Sequence, residues 1–185
     1  MSIALSERRS LARHRRALGY WAVSLGMFTS LWISTQIQPA PWMHLPMLFT
    51  HLASVIAGLG ATVMLDVKAV RWVTGAQQLS DLWVFERSVT PLAWAGIAGL
   101  LFTGAFLQPA LDAPLTVVKM IAVFVAAMNG VALGRLTDTL HRLPPDTRFA
   151  ATPTRLKLWC LSSAATSQIA WWTAVIIGML NTSGA

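Results

Sequence analysis

Residues 115–136 read LTVVKMIAVFVAAMNGVALGRL, an apolar run whose charged side chains are Lys119 near its start and Arg135 near its end. An α-helix rises about 1.5 Å per residue, so about 20 residues of this kind cross the roughly 30 Å of hydrocarbon in a bilayer. Segments of this length and composition are candidates for transmembrane helices. The run therefore predicts that the chain is an integral membrane protein.

Four other apolar stretches of similar length accompany this one. The five predicted spans are Tyr20–Ile37, Pro46–Leu65, Pro91–Leu107, Leu115–Arg135 and Leu158–Leu180. The chain of 185 residues is 55% hydrophobic and 11% charged, whereas about 25% of the residues of soluble domains are charged. We therefore predict an all-α, polytopic membrane bundle of five transmembrane helices over residues 20–180. A basic segment, 1–19, precedes the bundle, and a short tail, 181–185, follows it.

Positive charge is confined to one side of this predicted topology. Thirteen lysines and arginines precede the first span or surround the second and fourth connections: Arg8, Arg9, Arg13, Arg15, Arg16, Lys68, Arg71, Arg87, Arg135, Arg142, Arg148, Arg155 and Lys157. The connections Gln38–Leu45 and Gln108–Pro114 contain none. The positive-inside rule then predicts a cytoplasmic amino terminus and an external carboxyl terminus in the cell inner (plasma) membrane. The same rule accounts for the net charge of +7 without a nucleic-acid partner.

The amino-terminal segment and the connections carry their own signals. Residues 1–19 are interpreted either as an arginine-rich amphipathic helix on the bilayer surface or as a flexible charged tail. Three valines, at positions 67, 70 and 73, continue the helical period past the second span, with Gly75 as a stop. Ser80 and Asp81 resemble a helix start. Pro144-Pro145 predicts a turn within an extended, exposed connection over residues 136–157.

The start of the second span carries a set of soft metal ligands. Residues 42–51 read WMHLPMLFTH, in which His44, Met47 and His51 follow the spacing i, i+3, i+7. Thioether and imidazole groups suit Cu(I), and imidazole also suits Cu(II) and haem iron. We therefore predict a metal site formed by these three residues. The alternative is that His51 is simply hydrogen-bonded by a neighbouring helix or by water.

A lysine at matching depth accompanies that histidine. His51 lies five residues past Pro46, and Lys119 lies five residues past Pro114, so both are predicted about 7 Å below the same face. Ionisable groups inside a bilayer are costly and mark functional sites by default. We predict that the two residues bind a cofactor, with Lys119 supplying charge to an anionic group such as a haem propionate. Three alternatives remain open: Lys119 extends to the interface, it pairs with Asp112, or it is a neutral axial ligand of the haem iron.

Other polar side chains within the spans are predicted to bond across helices. The Asn129 amide is expected to meet a neighbouring helix, with Gln168 as one candidate. Asp66 is expected to form an ion pair with a nearby cation rather than to relay protons, and its candidate partners are Lys68, Arg87 and Arg135. The spans contain no paired carboxylates and the chain has no His-Glu-x-x-His or phosphate-loop motif, so a hydrolase or a proton pump has little support.

Two segments resemble a known superfamily. His51–Gly60, reading HLASVIAGLG, resembles the histidine-led helix of the superfamily that includes bacterial copper-resistance D-type proteins and the flavin-free membrane protoporphyrinogen oxidase. Leu115–Asn129 resembles the later helix of these proteins, with its lysine near the start and an asparagine or histidine about three turns on. In the oxidase branch the histidine and lysine are the important pair and b-type haem is thought to bind. The resemblance implies these roles for His51 and Lys119.

The leading hypothesis is an integral membrane protein that binds copper or b-type haem near its outer face and transfers metal or electrons. The second is a non-catalytic accessory subunit that binds a larger membrane complex, or a second copy of itself, within the bilayer. The third is a membrane tetrapyrrole oxidase. A binding protein is favoured over an enzyme, because no catalytic motif is evident in the sequence.

Overall fold

The computed structural model describes residues 2–183, with side chains from Ser10 to Asn181. Over that range the chain is helical, with turns and no strand. The five long helices are α1 (Ser2–Gln36), α2 (His44–Val73), α3 (Leu79–Phe106), α4 (Pro114–Leu140) and α5 (Thr154–Ser183). Short 3-10 turns at Pro41–Met43 and Phe149–Ala151 precede α2 and α5. The prediction of an all-α fold is confirmed.

Four segments are long and apolar enough to cross a membrane. They are Pro41–Val73, Leu79–Phe106, Pro114–Leu140 and Thr154–Asn181. The helix α1, which contains the predicted span Tyr20–Ile37, is not among them, because serines, threonines and Gln36 interrupt its apolar residues. Four of the five predicted spans therefore lie in helices that are long and apolar enough to cross a membrane.

The five helices form a closed ring. α2 packs along α3, α4 packs along α5, α1 lies against both α3 and α4, and α2 touches α5. We call one end the basic end, where the connections 74–78 and 141–153 lie. The opposite, charge-poor end carries the connections 37–43 and 107–113, in which Asp112 is the charged residue. The carboxyl end of α5 reaches the charge-poor end, where the Asn181 amide donates to Thr116 Oγ1 at 3.2 Å.

α1 follows the bundle over its whole height despite its mixed composition. At the basic end the Arg16 guanidinium pairs with Asp138 of α4 at 3.4 Å. In the middle Ser30 Oγ donates to the Leu101 carbonyl of α3 at 2.5 Å. At the charge-poor end the Gln108 amide donates to the Ile37 carbonyl at 2.7 Å. Residues 2–19 are the first turns of this single helix, and the side chains before Ser10 lie outside the described residues.

Small residues bring α2 and α3 into backbone contact. A Cβ atom added at Gly96 would lie 2.5 Å from the Gly58 nitrogen and 2.7 Å from the Ser54 carbonyl. The indole of Trp171 from α5 covers Gly58 from the other side. Lipid supplies no hydrophobic driving force between helices, so this close approach is a main source of packing energy. Trp171 is 3% exposed and packs in the core of the bundle.

The basic end is closed by the connection between α4 and α5. The Trp72 indole donates to the Thr147 carbonyl at 2.8 Å, and the Phe149 ring meets that indole edge-on at 5.1 Å between centroids. A turn at Pro144–Thr147 confirms the prediction from Pro144-Pro145. The prediction that residues 136–157 form an extended connection is wrong at both ends, because α4 continues to Leu140 and α5 begins at Thr154. Most residues between the two helices are exposed, as predicted, while Leu143 and Phe149 pack on the helix ends.

The junction of α2 and α3 follows the sequence signals closely. α2 ends at Val73, and Gly75 adopts a φ of 78°, a left-handed conformation that glycine reaches without steric cost. α3 begins at Leu79, one residue before the predicted start. The Asp81 carboxylate accepts the Gln78 backbone N–H at 3.2 Å, which completes a capping box.

Candidate functional site

The candidate site lies in the half of the bundle nearer the charge-poor end, where α2 faces α3. His51 is partly buried on α2, and its Nδ1 lies 2.7 Å from the Thr103 hydroxyl of α3. Thr103 is 0% exposed, and its hydroxyl donates to the Gly99 carbonyl at 2.6 Å. One turn further along the α2–α3 contact, the Ser54 side chain packs directly on Gly99. His51 is therefore held by a specific contact within the helix pair.

The direction of the hydrogen bond between His51 and Thr103 depends on the tautomer of the imidazole. When the threonine hydroxyl donates its one hydrogen to the Gly99 carbonyl, it acts as an acceptor towards His51. Nδ1 of His51 is then the donor, and the neutral ring keeps its lone pair on Nε2. A hydrogen bond from one ring nitrogen commonly orients a histidine whose other nitrogen binds a metal. The arrangement suits Nε2 for coordination.

Lys119 of α4 is the predicted charged partner of His51. It is partly buried, on a helix that is not adjacent to α2 in the ring. Among side chains 10–181 the Lys119 ammonium has no hydrogen bond or ion pair, and the alternative pairing with Asp112 is not found. A shared site of His51 and Lys119 stays a prediction.

The three-residue metal set of the sequence, His44, Met47 and His51, stays a prediction. His44 is exposed at the first position of α2, Met47 is partly buried, and His51 lies seven residues, or about 10 Å of helix rise, beyond His44. The described residues contain no group of three His, Cys, Asp or Glu side chains that could hold a metal ion. Of the predicted ligands, His51 has the protein contacts of an oriented ligand.

Asn129 and Asp66 form hydrogen bonds with partners other than those predicted. The Asn129 amide donates to the Ser163 carbonyl at 2.8 Å and its oxygen accepts from the Ser163 hydroxyl at 2.9 Å, so Asn129 bonds across helices but not to Gln168. Gln168 instead donates to Asp66 Oδ2 at 2.7 Å. The expected ion pair of Asp66 with Lys68, Arg87 or Arg135 is wrong, since Asp66 has no ion pair within the described part of the chain.

Sequence reasoning missed Thr103 and the role of Ser54. Ser54 donates to the Thr50 carbonyl within α2 and packs on Gly99 of α3, whereas Thr103 contacts His51 across the two helices. A hydroxyl within a small-residue segment is the signal that points to such a contact. The face that each residue presents follows from the register of the two helices, which the sequence does not specify. No protein-family model matches the chain, and no curated protein or solved structure matches it either. The resemblance to the copper-resistance and oxidase superfamily therefore stays a prediction.

Proposed function

We propose that the protein binds b-type haem or a copper ion near the charge-poor end of its bundle, through Nε2 of His51. The observation that carries this proposal is the buried Thr103 hydroxyl, which lies 2.7 Å from His51 Nδ1 and donates to the Gly99 carbonyl. With Nδ1 as the donor in this contact, Nε2 of the partly buried imidazole keeps its lone pair for a ligand. By the positive-inside rule, this end lies outside the cytoplasm in the inner membrane.

The charge of Lys119 favours haem over a bare copper ion. A cation at the same depth as His51 would repel a metal cation bound there, but would attract the propionate carboxylates of a haem. A bound haem would supply one-electron chemistry at its iron. His51 would ligate the iron and Lys119 would hold a propionate. The use of such a site would be electron transfer to a membrane partner, and tetrapyrrole oxidation would further require turnover of a tetrapyrrole substrate.

Copper remains the second candidate because of Met47. This residue is partly buried one turn before His51 on the same helix, and a thioether with an imidazole suits Cu(I). Copper bound there would serve metal transfer across or along the membrane. The proposed copper site keeps Met47 and His51 of the predicted set and leaves out His44, since His44 is exposed.

A non-catalytic subunit is the candidate function from another class. Ala53 on α2 is exposed, and a Cβ atom at Gly60 of the same helix would meet nothing within 4 Å. Small residues on a free helix face allow a partner helix to approach closely. A colourless, metal-free protein that purifies with a membrane partner or as a homo-oligomer would favour this function over cofactor binding.

The Thr103→Val substitution tests the proposal at the contact that carries it. Valine has nearly the shape of threonine but cannot accept from His51 Nδ1, so we expect haem or copper affinity to fall roughly 10–100-fold, as for other outer-shell partners of metal ligands. Thr103→Ser keeps a hydroxyl and should stay within a few-fold of the wild type. Optical titration of the purified protein measures both. Equal affinity in the valine and serine variants would contradict the assigned role of Thr103.

The Lys119→Met substitution separates the two cofactors by the sign of its effect. Loss of a charge-assisted contact to a propionate should weaken haem binding roughly tenfold or more without abolishing it. For copper, removal of the repelling charge should strengthen binding. Separate titrations with haem b and with Cu(I) make the comparison. If neither affinity changes while thermal stability rises, Lys119 extends to the bilayer interface and has no part in cofactor binding.

A further inference from the structure

A second region of the bundle, nearer the basic end, contains a cavity of about 340 Å³ between α2, α3, α4 and α5. This volume is at the low end of the roughly 300–1,000 Å³ typical of small-molecule sites. The cavity is remote from His51, Thr103 and Lys119, none of which lines it. Its walls are mostly apolar, with aromatic surface from Trp72 and Trp83. It is therefore a separate candidate site.

The cavity opens sideways between α2 and α5. Its exposed lining residues all lie on these two helices: Val70, Val73, Leu161 and Ala165. The lining residues on α3 and α4 are buried or partly buried. Farther from the basic end, Trp171 of α5 covers Gly58 of α2 and closes the gap. In a bilayer an apolar mouth of this kind faces the acyl chains, so an apolar molecule can enter from the membrane.

The polar part of the wall is acidic. Asp66 on α2 and Glu86 on α3 both line the cavity, and no lysine or arginine does. The bonds seen at these two acids are neutral ones, from the Gln168 amide at 2.7 Å and the Thr90 hydroxyl at 3.1 Å. Neither acid has an ion pair among side chains 10–181. A carboxylate beside an apolar cavity is costly to ionise unless a cation lies next to it. A cationic ligand in the cavity would therefore stabilise the charged form of either acid.

The nearby cations are directed elsewhere. The Lys68 ammonium lies over the Phe85 ring at 5.3 Å, and the Arg135 guanidinium lies over the Trp159 ring at 5.7 Å. His141 also lines the cavity, where its ring meets Trp83 edge-on and its buried Nε2 has no hydrogen-bond partner among the described residues. The lysine and arginine nearest the cavity therefore lie over aromatic rings and leave the two carboxyl groups open to a cationic ligand.

We propose that this cavity binds an amphiphilic organic cation, with its amine against Asp66 and its apolar body between the two tryptophans. The carboxylate supplies the charge-assisted hydrogen bond, and indole faces attract cations as well as apolar groups. Entry from the bilayer between α2 and α5 suits a molecule that already partitions into membranes. The site is independent of any cofactor at His51.

Cys160 provides a built-in reporter of occupancy. It is the single cysteine of the chain and it lines the cavity. We would measure its alkylation by N-ethylmaleimide in nanodiscs of phosphatidylcholine, by intact mass, with octylammonium, octanol or octanoate present. These probes share one chain and differ in head-group charge. We expect octylammonium to protect Cys160 at a concentration roughly tenfold or more below that needed with octanol, and octanoate to protect least.

Isosteric variants test the assigned acid. Asp66→Asn should remove the preference for octylammonium over octanol, whereas Asp112→Asn, an exposed acid at the opposite end, should keep it. His51→Ala should also keep it, which separates this site from the cofactor site. Equal protection by octanol and octylammonium in the wild type would reduce the cavity to an apolar or lipid pocket and overturn the proposal. Absence of protection by every probe, or a preference that survives Asp66→Asn, would overturn it too.

Discussion

The His51→Ala variant is expected to lose its haem or copper completely while it still inserts into the membrane and keeps its helical fold. His51 is the one predicted ligand whose ring is oriented by a buried partner, the Thr103 hydroxyl at 2.7 Å. Removing a ligand should cost more than the roughly 10–100-fold effect of removing an outer-shell partner. The Soret absorbance and the copper content per protein after purification measure the loss.

His44→Ala is the matched control for this variant. Both histidines lie on α2, but His44 is exposed at its first position, so its removal should leave cofactor stoichiometry unchanged. The copper reading adds a second comparison, because Met47→Leu should then lower copper content but not haem content. Wild-type stoichiometry in the His51→Ala protein would end the ligand assignment, whatever the control shows.

The Gly96→Ala variant is expected to destabilise the bundle by about 1–3 kcal/mol, the usual cost of overpacking. A methyl group at Gly96 would lie 2.5 Å from the Gly58 nitrogen, so α2 and α3 would have to separate. Separation would also stretch the contact between His51 and Thr103, since both belong to this helix pair. Thermal unfolding in detergent, followed by circular dichroism, measures the change.

Gly60→Ala provides the control on the same pair of helices. A Cβ atom at Gly60 meets nothing within 4 Å, so the substitution should be neutral or stabilise by up to about 1 kcal/mol through helix propensity. Propensity alone would make both substitutions favourable. If Gly96→Ala is as stable as Gly60→Ala, the close approach of α2 and α3 is not as described.

The sequence predicts the helices well because long apolar runs and strong stop signals are local. Val67, Val70 and Val73 place the end of α2 correctly, and Gly75 supplies the left-handed residue after it. Sequence-based prediction is least successful for helices whose composition and packing disagree. α1 falls short of the hydropathy of a span, yet Ser30 and Arg16 tie it along α3 and α4.

The candidate site is half predictable for a similar reason. Depth along a helix follows from residue counting, so the sequence places His51 and Lys119 at matching depth. Partner choice depends on helix register and rotation, which no local pattern specifies. For this reason the sequence predicts a cationic partner for Asp66, whereas the structure gives it the Gln168 amide. For the same reason the contact of Thr103 with His51 is absent from the sequence prediction.

The most direct test of the central claim is titration of the purified wild-type protein with haem b and with Cu(I), followed by its absorption spectrum and metal content. We expect saturable binding of one of them at one site per chain, and loss of that binding in the His51→Ala protein. A wild-type protein that binds neither would contradict the claim that Nε2 of His51 is a cofactor ligand.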